Sequence, residues 1–182
     1  MTRTPPTVRQ RTLPAVAVAV LAGALVSLSL GAYGHLHHPT GSAITTLGFP
    51  TVLTMKAWLT TAAATLAVLQ LFSALWMYGR LPWTAPSWLA PLHRWAGTAA
   101  FLISLPVAYH CLWSLGFHDQ TARTLNHSLL GCVFYGVFTT KMFLLRVRRS
   151  SSWLVPIAGG LLFTVLIGLW LTSALWYFRH LA

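Results

Sequence analysis

Trp153–Phe178 reads WLVPIAGGLLFTVLIGLWLTSALWYF, a run without a single charged side chain. A helix of this length crosses a hydrocarbon core about 30 Å thick, and a stretch of 18 or more apolar residues is the usual mark of a membrane span. Four further predominantly apolar runs precede it: Leu13–Gly34, Thr51–Tyr78, Leu92–Gly116 and Thr124–Val147. Together they occupy most of the 182 residues and leave no length for an aqueous domain. The composition agrees, with 56% hydrophobic and 7% charged residues, against roughly a quarter charged in a soluble domain. The expected fold is a single all-α integral membrane bundle of five transmembrane helices over 13–34, 51–78, 92–116, 124–147 and 153–178.

Turn chemistry separates the runs. Pro39, Gly41, Gly48 and Pro50 break the first loop, Pro82, Pro86 and Pro91 the second, His118-Asp119-Gln120 the third and Ser150-Ser151-Ser152 the fourth. The first run follows a basic start and resembles a signal peptide, but its apolar stretch exceeds the roughly 7–15 residues of a signal core, so it is expected to remain as a membrane helix. With the N-terminus inside, Arg3, Arg9, Arg11, Arg80, Arg94, Lys141, Arg146, Arg148 and Arg149 fall at cytoplasmic ends. Only Lys56, Arg123 and Arg179 fall outside. This positive-inside bias gives an N-in, C-out topology. Trp58, Trp113 and Trp176 then lie near outer boundaries and Trp76, Trp83, Trp88, Trp95 and Trp153 near inner ones, as aromatic belts do.

Asp119 is the only acidic residue, beside 12 Lys and Arg and a formal net charge of +11. One carboxylate cannot build the paired acids of a glycosidase or an aspartyl protease, a carboxylate-bound Mg²⁺ or Ca²⁺ site, or a carboxylate proton relay. The basic residues cluster at loop ends rather than along one face, which argues against nucleic acid as a partner. The lipid bilayer is the expected one.

Of eight histidines, His35, His37, His38, His110, His118, His127 and His180 fall on the outer side and only His93 on the inner. His110 and His127 lie within spans, where a polar ring is costly without a partner. Counted from the third loop, their depths differ by only about 5 Å, so both can reach one level of the bundle. Helical stripes through them read Ala99, Ile103, Pro106, His110, Ser114 and His127, Gly131, Phe134, Phe138, Lys141. Small or flat neighbours beside facing imidazoles suit axial ligation of haem b. Hydrogen bonding between helices is the plainer role for the same two rings. A porphyrin would require these helices to splay or to sit diagonally, because axes 8–10 Å apart leave too little room for it. Pro106 should kink the helix just below His110. Lys56 and Arg123 need counter-charges that haem propionates or lipid phosphates would supply, Gly131 would flank the ring, and Lys141 is a poor second-site ligand. Cys111 and Cys132 reach similar depths. A disulfide is compatible with that spacing, and free core thiols are the expected form. His35, His37 and His38 have the character of a Cu²⁺ or Zn²⁺ cluster lacking a fourth ligand.

The stretches HRWAGTAAFLISLPVAYHCLW (93–113), HSLLGCVFYGVFTTK (127–141), LWLTSALWYF (169–178), YGHLHHP (33–39) and MKAWL (55–59) resemble an uncharacterised family of small five-helix bacterial membrane proteins, a family without an assigned activity. The matching positions are His37, Lys56, His93, His110, Cys111, His127, Cys132 and Lys141. The resemblance implies a bacterial cytoplasmic membrane. The His93-Arg94 opening of the third span, with a later His, is more loosely similar to membrane b-type cytochromes of the ferric-reductase and di-haem superfamily. His93 and His110 are 17 positions apart and fall about 100° out of line on a helix, so the similarity implies one haem rather than two. The resulting expectation is a one-haem b-type electron-transfer protein with His110 and His127 as ligands and His37 as the alternative. Lys56 and Arg123 would meet the propionates, and a quinol or a redox protein would be the partner. A non-catalytic scaffold subunit, packing through Gly131, Gly136, Gly159, Gly160 and Gly168, and an outer-face metal-handling protein are the alternatives.

Overall fold

The computed structural model describes residues 8–147 and 152–181. Arg3, Arg148, Arg149, Ser150 and Ser151, used above for topology and the fourth loop, lie outside the described residues. The elements are α1 (Val8–Leu36), α2 (Val52–Met77), α3 (Leu89–Tyr109) with a π-helical continuation (His110–Leu115), α4 (Ala122–Leu144), α5 (Leu154–Thr172) and α6 (Ala174–His180). No strand occurs among the described residues. Four stretches are long and apolar enough to cross a membrane: Leu13–Leu36, Val52–Met77, Leu89–Leu115 and Leu154–His180. The expected fourth run is also helical, as α4, but it carries Arg123, Asn126, His127 and Lys141 and is not one of these four.

The distribution of side-chain size is that of a multi-pass membrane protein. Leu21, Leu25 and Leu28 of α1 are 65–71% exposed, whereas the buried positions are largely small: Ala19, Ala57, Ala63, Ala64, Ala67, Ala158 and Ala174. Large apolar groups facing outward suit contact with lipid, and small ones facing inward let helix backbones approach. Gly23 of α1 and Gly136 of α4 face one another so closely that a Cβ on either would strike the other's carbonyl. Ser27 adds a hydroxyl bond to the Cys132 carbonyl at 3.1 Å.

α2 packs on α3, and α4 packs on α1 and α5. Gln70 donates to the His93 carbonyl, and the Ser73 hydroxyl meets His93 Nδ1 at 2.8 Å, which fixes α2 to α3. Ala63, Ala67, Phe134, Val165 and Leu166 form the core among α2, α4 and α5. α3 and α4, although consecutive, do not pack closely. They meet through an aromatic layer in which Phe101 stacks on Phe138 at 4.1 Å and the Tyr135 hydroxyl reaches Ser104 Oγ at 3.0 Å.

Two spans depart from the expected single helices. The third runs on through Pro106 and widens only at His110, where the Gly116 amide bonds back five residues to the Cys111 carbonyl. The Thr40 and Gly41 amides, from the loop after α1, take the Trp113 and Ser114 carbonyls, so backbone groups at the helix end find partners. Gly116 closes this turn at φ +76°, with Pro39 where a Cβ would stand; only glycine suits both. The fifth span breaks at Ser173. The Thr172 and Ser173 hydroxyls bond back to the Gly168 and Leu169 carbonyls at 2.8 and 2.6 Å, a pairing that bends helices.

Candidate functional site

At the end of the bundle carrying the loops 37–51 and 116–121, here called the upper end, the gap between α3 and α4 opens into a cavity of about 310 Å³. This lies at the small end of the roughly 300–1,000 Å³ range of small-molecule sites. Its floor includes Ser104, Phe134 and Tyr135. α2 supplies Lys56, Ala57 and Thr60, the π-helical stretch supplies Cys111 and Leu112, and α4 supplies Arg123, His127, Gly131 and Cys132. α5 and α6 close it with Leu169, Thr172 and Trp176.

Thr172 organises the polar side. Its carbonyl has lost its helical partner at the α5 break and accepts from Arg123 Nη1 at 2.9 Å. The guanidinium also lies 4.0 Å from the centroid of the Trp176 ring, a cation–π contact. Thr172 Oγ1 gives its proton to the Gly168 carbonyl and lies 3.1 Å from His127 Nδ1. In that arrangement the hydroxyl accepts from His127, which puts the imidazole proton on Nδ1 and the lone pair on Nε2. Cys111 and Lys56 line the same cavity as this imidazole. Among the described residues no carboxylate lines the cavity, and a side chain at Gly131 would meet open space.

Lys56, Cys111, Arg123, His127, Gly131 and Cys132, all singled out from the sequence, are thus brought together. His110 is not among the lining residues. It is 1% exposed and turned to another face of the same helix, where Nδ1 donates to the Pro106 carbonyl at 2.7 Å and Nε2 has no partner. Shared depth was legible in the sequence; shared direction was not, because one residue along a helix turns a side chain by about 100°. His37 is also apart from the cavity. Its ring is sandwiched between Tyr33 and Trp113 at 5.0 and 4.7 Å, and Nε2 meets the Trp113 carbonyl. His35 packs edge-on against Phe117, and among the described residues no three His, Cys, Asp or Glu side chains converge on a metal position. Both cysteines are free thiols. Lys141 and His93 stay at the lower end, away from the cavity. The role of Thr172 was not visible in the sequence: it depends on the helix break, and a Thr-Ser pair in an apolar run carries no such signal.

Fold and site together define a class: an all-helical, multi-pass membrane-type bundle with an apolar cavity edged by cations, an imidazole and a thiol. Within that class the chain belongs to a family of unknown function, DUF6529, whose model matches residues 16–182. No curated protein and no solved structure matches the chain.

Proposed function

We propose that the protein is a membrane-embedded b-type haem protein that passes electrons to or from a redox partner, a protein or a quinol, at its upper face. The supporting observation is the donor set of the cavity. The imidazole of His127 lines the cavity and is a ligand type for iron, Lys56 and Arg123 are cations that no carboxylate among the described lining residues neutralises, and the open flank of Gly131 admits a flat ring. Haem, when bound, supplies one-electron iron chemistry in a site that the bundle shields from water. His127 would hold the iron, with Thr172 fixing the tautomer that makes Nε2 the ligand. Lys56 and Arg123 would hold the propionates, and Arg123 is kept at the rim by Thr172 and Trp176. The divergence of α3 from α4 supports a planar occupant between them. The looser similarity of the third span to membrane b-type cytochromes points the same way.

α4 is proposed as a fifth span. Its 23 residues reach about 34 Å at 1.5 Å each, and of its polar groups Arg123 and His127 line the cavity, Lys141 lies against Gly159 of α5, and Asn126 is exposed near the first turn. The positive-inside bias then gives N-in, C-out and sets the cavity in the outer half of a bacterial cytoplasmic membrane. A scaffold role has less support, because Gly136 and Gly168 pack within the chain and Gly131 faces the cavity; Gly160 remains open.

A visible spectrum of the purified protein, expressed in a host with ample haem, tests the proposal. A Soret band and reduced-minus-oxidised bands are expected. His127→Ala should lose the haem, whereas His110→Ala, outside the cavity, should retain it. Colourless protein, or an unchanged His127→Ala spectrum, overturns the assignment.

A further inference from the structure

The cavity is graded in polarity along its length. Its lining follows α4 from Arg123 down to Tyr135, about 18 Å of helix at 1.5 Å per residue. At the floor the hydroxyl protons are already committed: Ser104 Oγ donates to the Phe101 carbonyl at 2.6 Å, and the Tyr135 hydroxyl donates to the Ser104 carbonyl at 3.1 Å. A polar group buried without a partner is costly, so this deep end suits an apolar occupant, and Leu30, Leu112, Leu166 and Leu169 are in the walls. At the upper end the balance reverses. Arg123 lies in the first turn of α4, and Lys56 lies in the second turn of α2, which begins at the same end of the bundle. Among the described lining residues none carries a negative charge. The guanidinium is held in place by the Thr172 carbonyl at 2.9 Å and by the Trp176 ring, and that hydrogen bond takes one of its five N–H groups.

We propose that the cavity is a binding site for a long-chain free fatty acid taken from the bilayer, seated with its carboxylate at Arg123 and Lys56 and its methyl end beside Phe134 and Tyr135. The planar guanidinium fork matches a carboxylate, and a charge-assisted hydrogen bond in an apolar surround is a strong one. Lys56 supplies a second cation among the lining residues, and its aliphatic stem is compatible with an apolar wall. A cavity at the small end of the range for small-molecule sites suits one alkyl chain rather than the two of a phospholipid. The inference stands on the lining, the hydrogen bonds and the charge of the cavity and does not rest on haem. Haem would take the same space, so the two ligands exclude one another and bound fatty acid keeps haem out.

The test is photo-crosslinking of the full-length protein, prepared from cells starved of haem and placed in phosphatidylcholine vesicles, with palmitic acid carrying a diazirine either at its methyl end or next to its carboxylate. Labelled peptides are located by mass spectrometry. The methyl-end probe is expected on the peptides that hold Ser104, Phe134 and Tyr135, and the carboxylate-end probe on those that hold Lys56 and Thr172. Both labels should saturate and be displaced by palmitate but not by hexadecanol or hexadecyltrimethylammonium, which have the chain without the negative head. Leu21, Leu25 and Leu28, exposed on α1, should take only label that does not saturate. This comparison is made within the unmodified chain and holds even if a variant fails to fold. Arg123→Gln should raise the palmitate concentration for half-displacement by about tenfold, as expected for one charge-assisted hydrogen bond. Gly131→Phe should fill the cavity and abolish the label at its floor while leaving that on α1. A methyl-end label no greater at the floor than on α1, equal displacement by hexadecanol, or stronger displacement by a lysophosphatidate than by palmitate would each overturn the proposal. The haem reading fails separately: floor label in haem-starved protein together with colourless protein from haem-replete cells supports the fatty-acid site alone, and a Soret band in the latter with no floor label in the former overturns the fatty-acid site alone.

Discussion

His110 and His127 show how neighbouring rings in one bundle are handled in opposite ways. Both donate from Nδ1, His110 to a carbonyl on its own helix and His127 to a hydroxyl on α5. The difference lies in Nε2. That of His127 belongs to a residue lining a cavity, whereas that of His110 is sealed in protein without a partner. A buried polar atom left unsatisfied costs about 1–3 kcal/mol, and replacing it with an apolar group of similar size is often neutral or better. His110→Leu is therefore expected to leave the thermal midpoint in detergent unchanged or to raise it, with a gain of at most about 1 kcal/mol once the lost Nδ1 bond is counted. A fall of several degrees would mean that Nε2 has a partner in the working protein.

At the scale of elements, the site depends on two interruptions of regular helix. The π-helical stretch turns Cys111 and Leu112 toward α4 while the loop 37–41 caps its end. The break at Ser173 frees the Thr172 carbonyl for Arg123. By contrast, the union of α1 with α4 needs uninterrupted helix and missing side chains. Gly136→Val would set a branched side chain against the Gly23 carbonyl and Ser27. Overpacking of a tight contact costs about 1–3 kcal/mol, and more where backbone is struck. The variant should unfold at lower denaturant in detergent micelles, whereas Gly160→Ala, in open space, should be neutral. Equal effects of the two would show that α1 does not sit on α4 as described.

For the whole molecule, the decisive quantity is which end faces the cytoplasm. The cavity lies at the end where α1 stops and α2 begins, and α6 stands at the same end. If the basic residues orient the chain, a reporter fused after Ala182 should be active only outside the cytoplasm. A cytoplasmic C-terminus would remove one span, with α4 the first to be doubted because it is the most polar. Inversion of the whole bundle, the other way to reach that result, would turn the cavity and any electron donor for it toward the cytoplasmic side.

The all-helical membrane class was decided by the sequence alone, because spans are selected by length and transfer free energy, which add along the chain residue by residue. So were the positions of the main turns and the membership of Lys56, Arg123, His127 and Gly131 in one site, since depth follows from counting residues along a hairpin. Direction around a helix does not. The separation of His110 from His127, the place of Cys111 in one cavity with His127 and Lys56, and the service of Thr172 to two partners all depend on the widened turn at His110, the break at Ser173 and the aromatic layer that holds α3 off α4. These arise from contacts between residues distant in the chain, and only the packed bundle determines them.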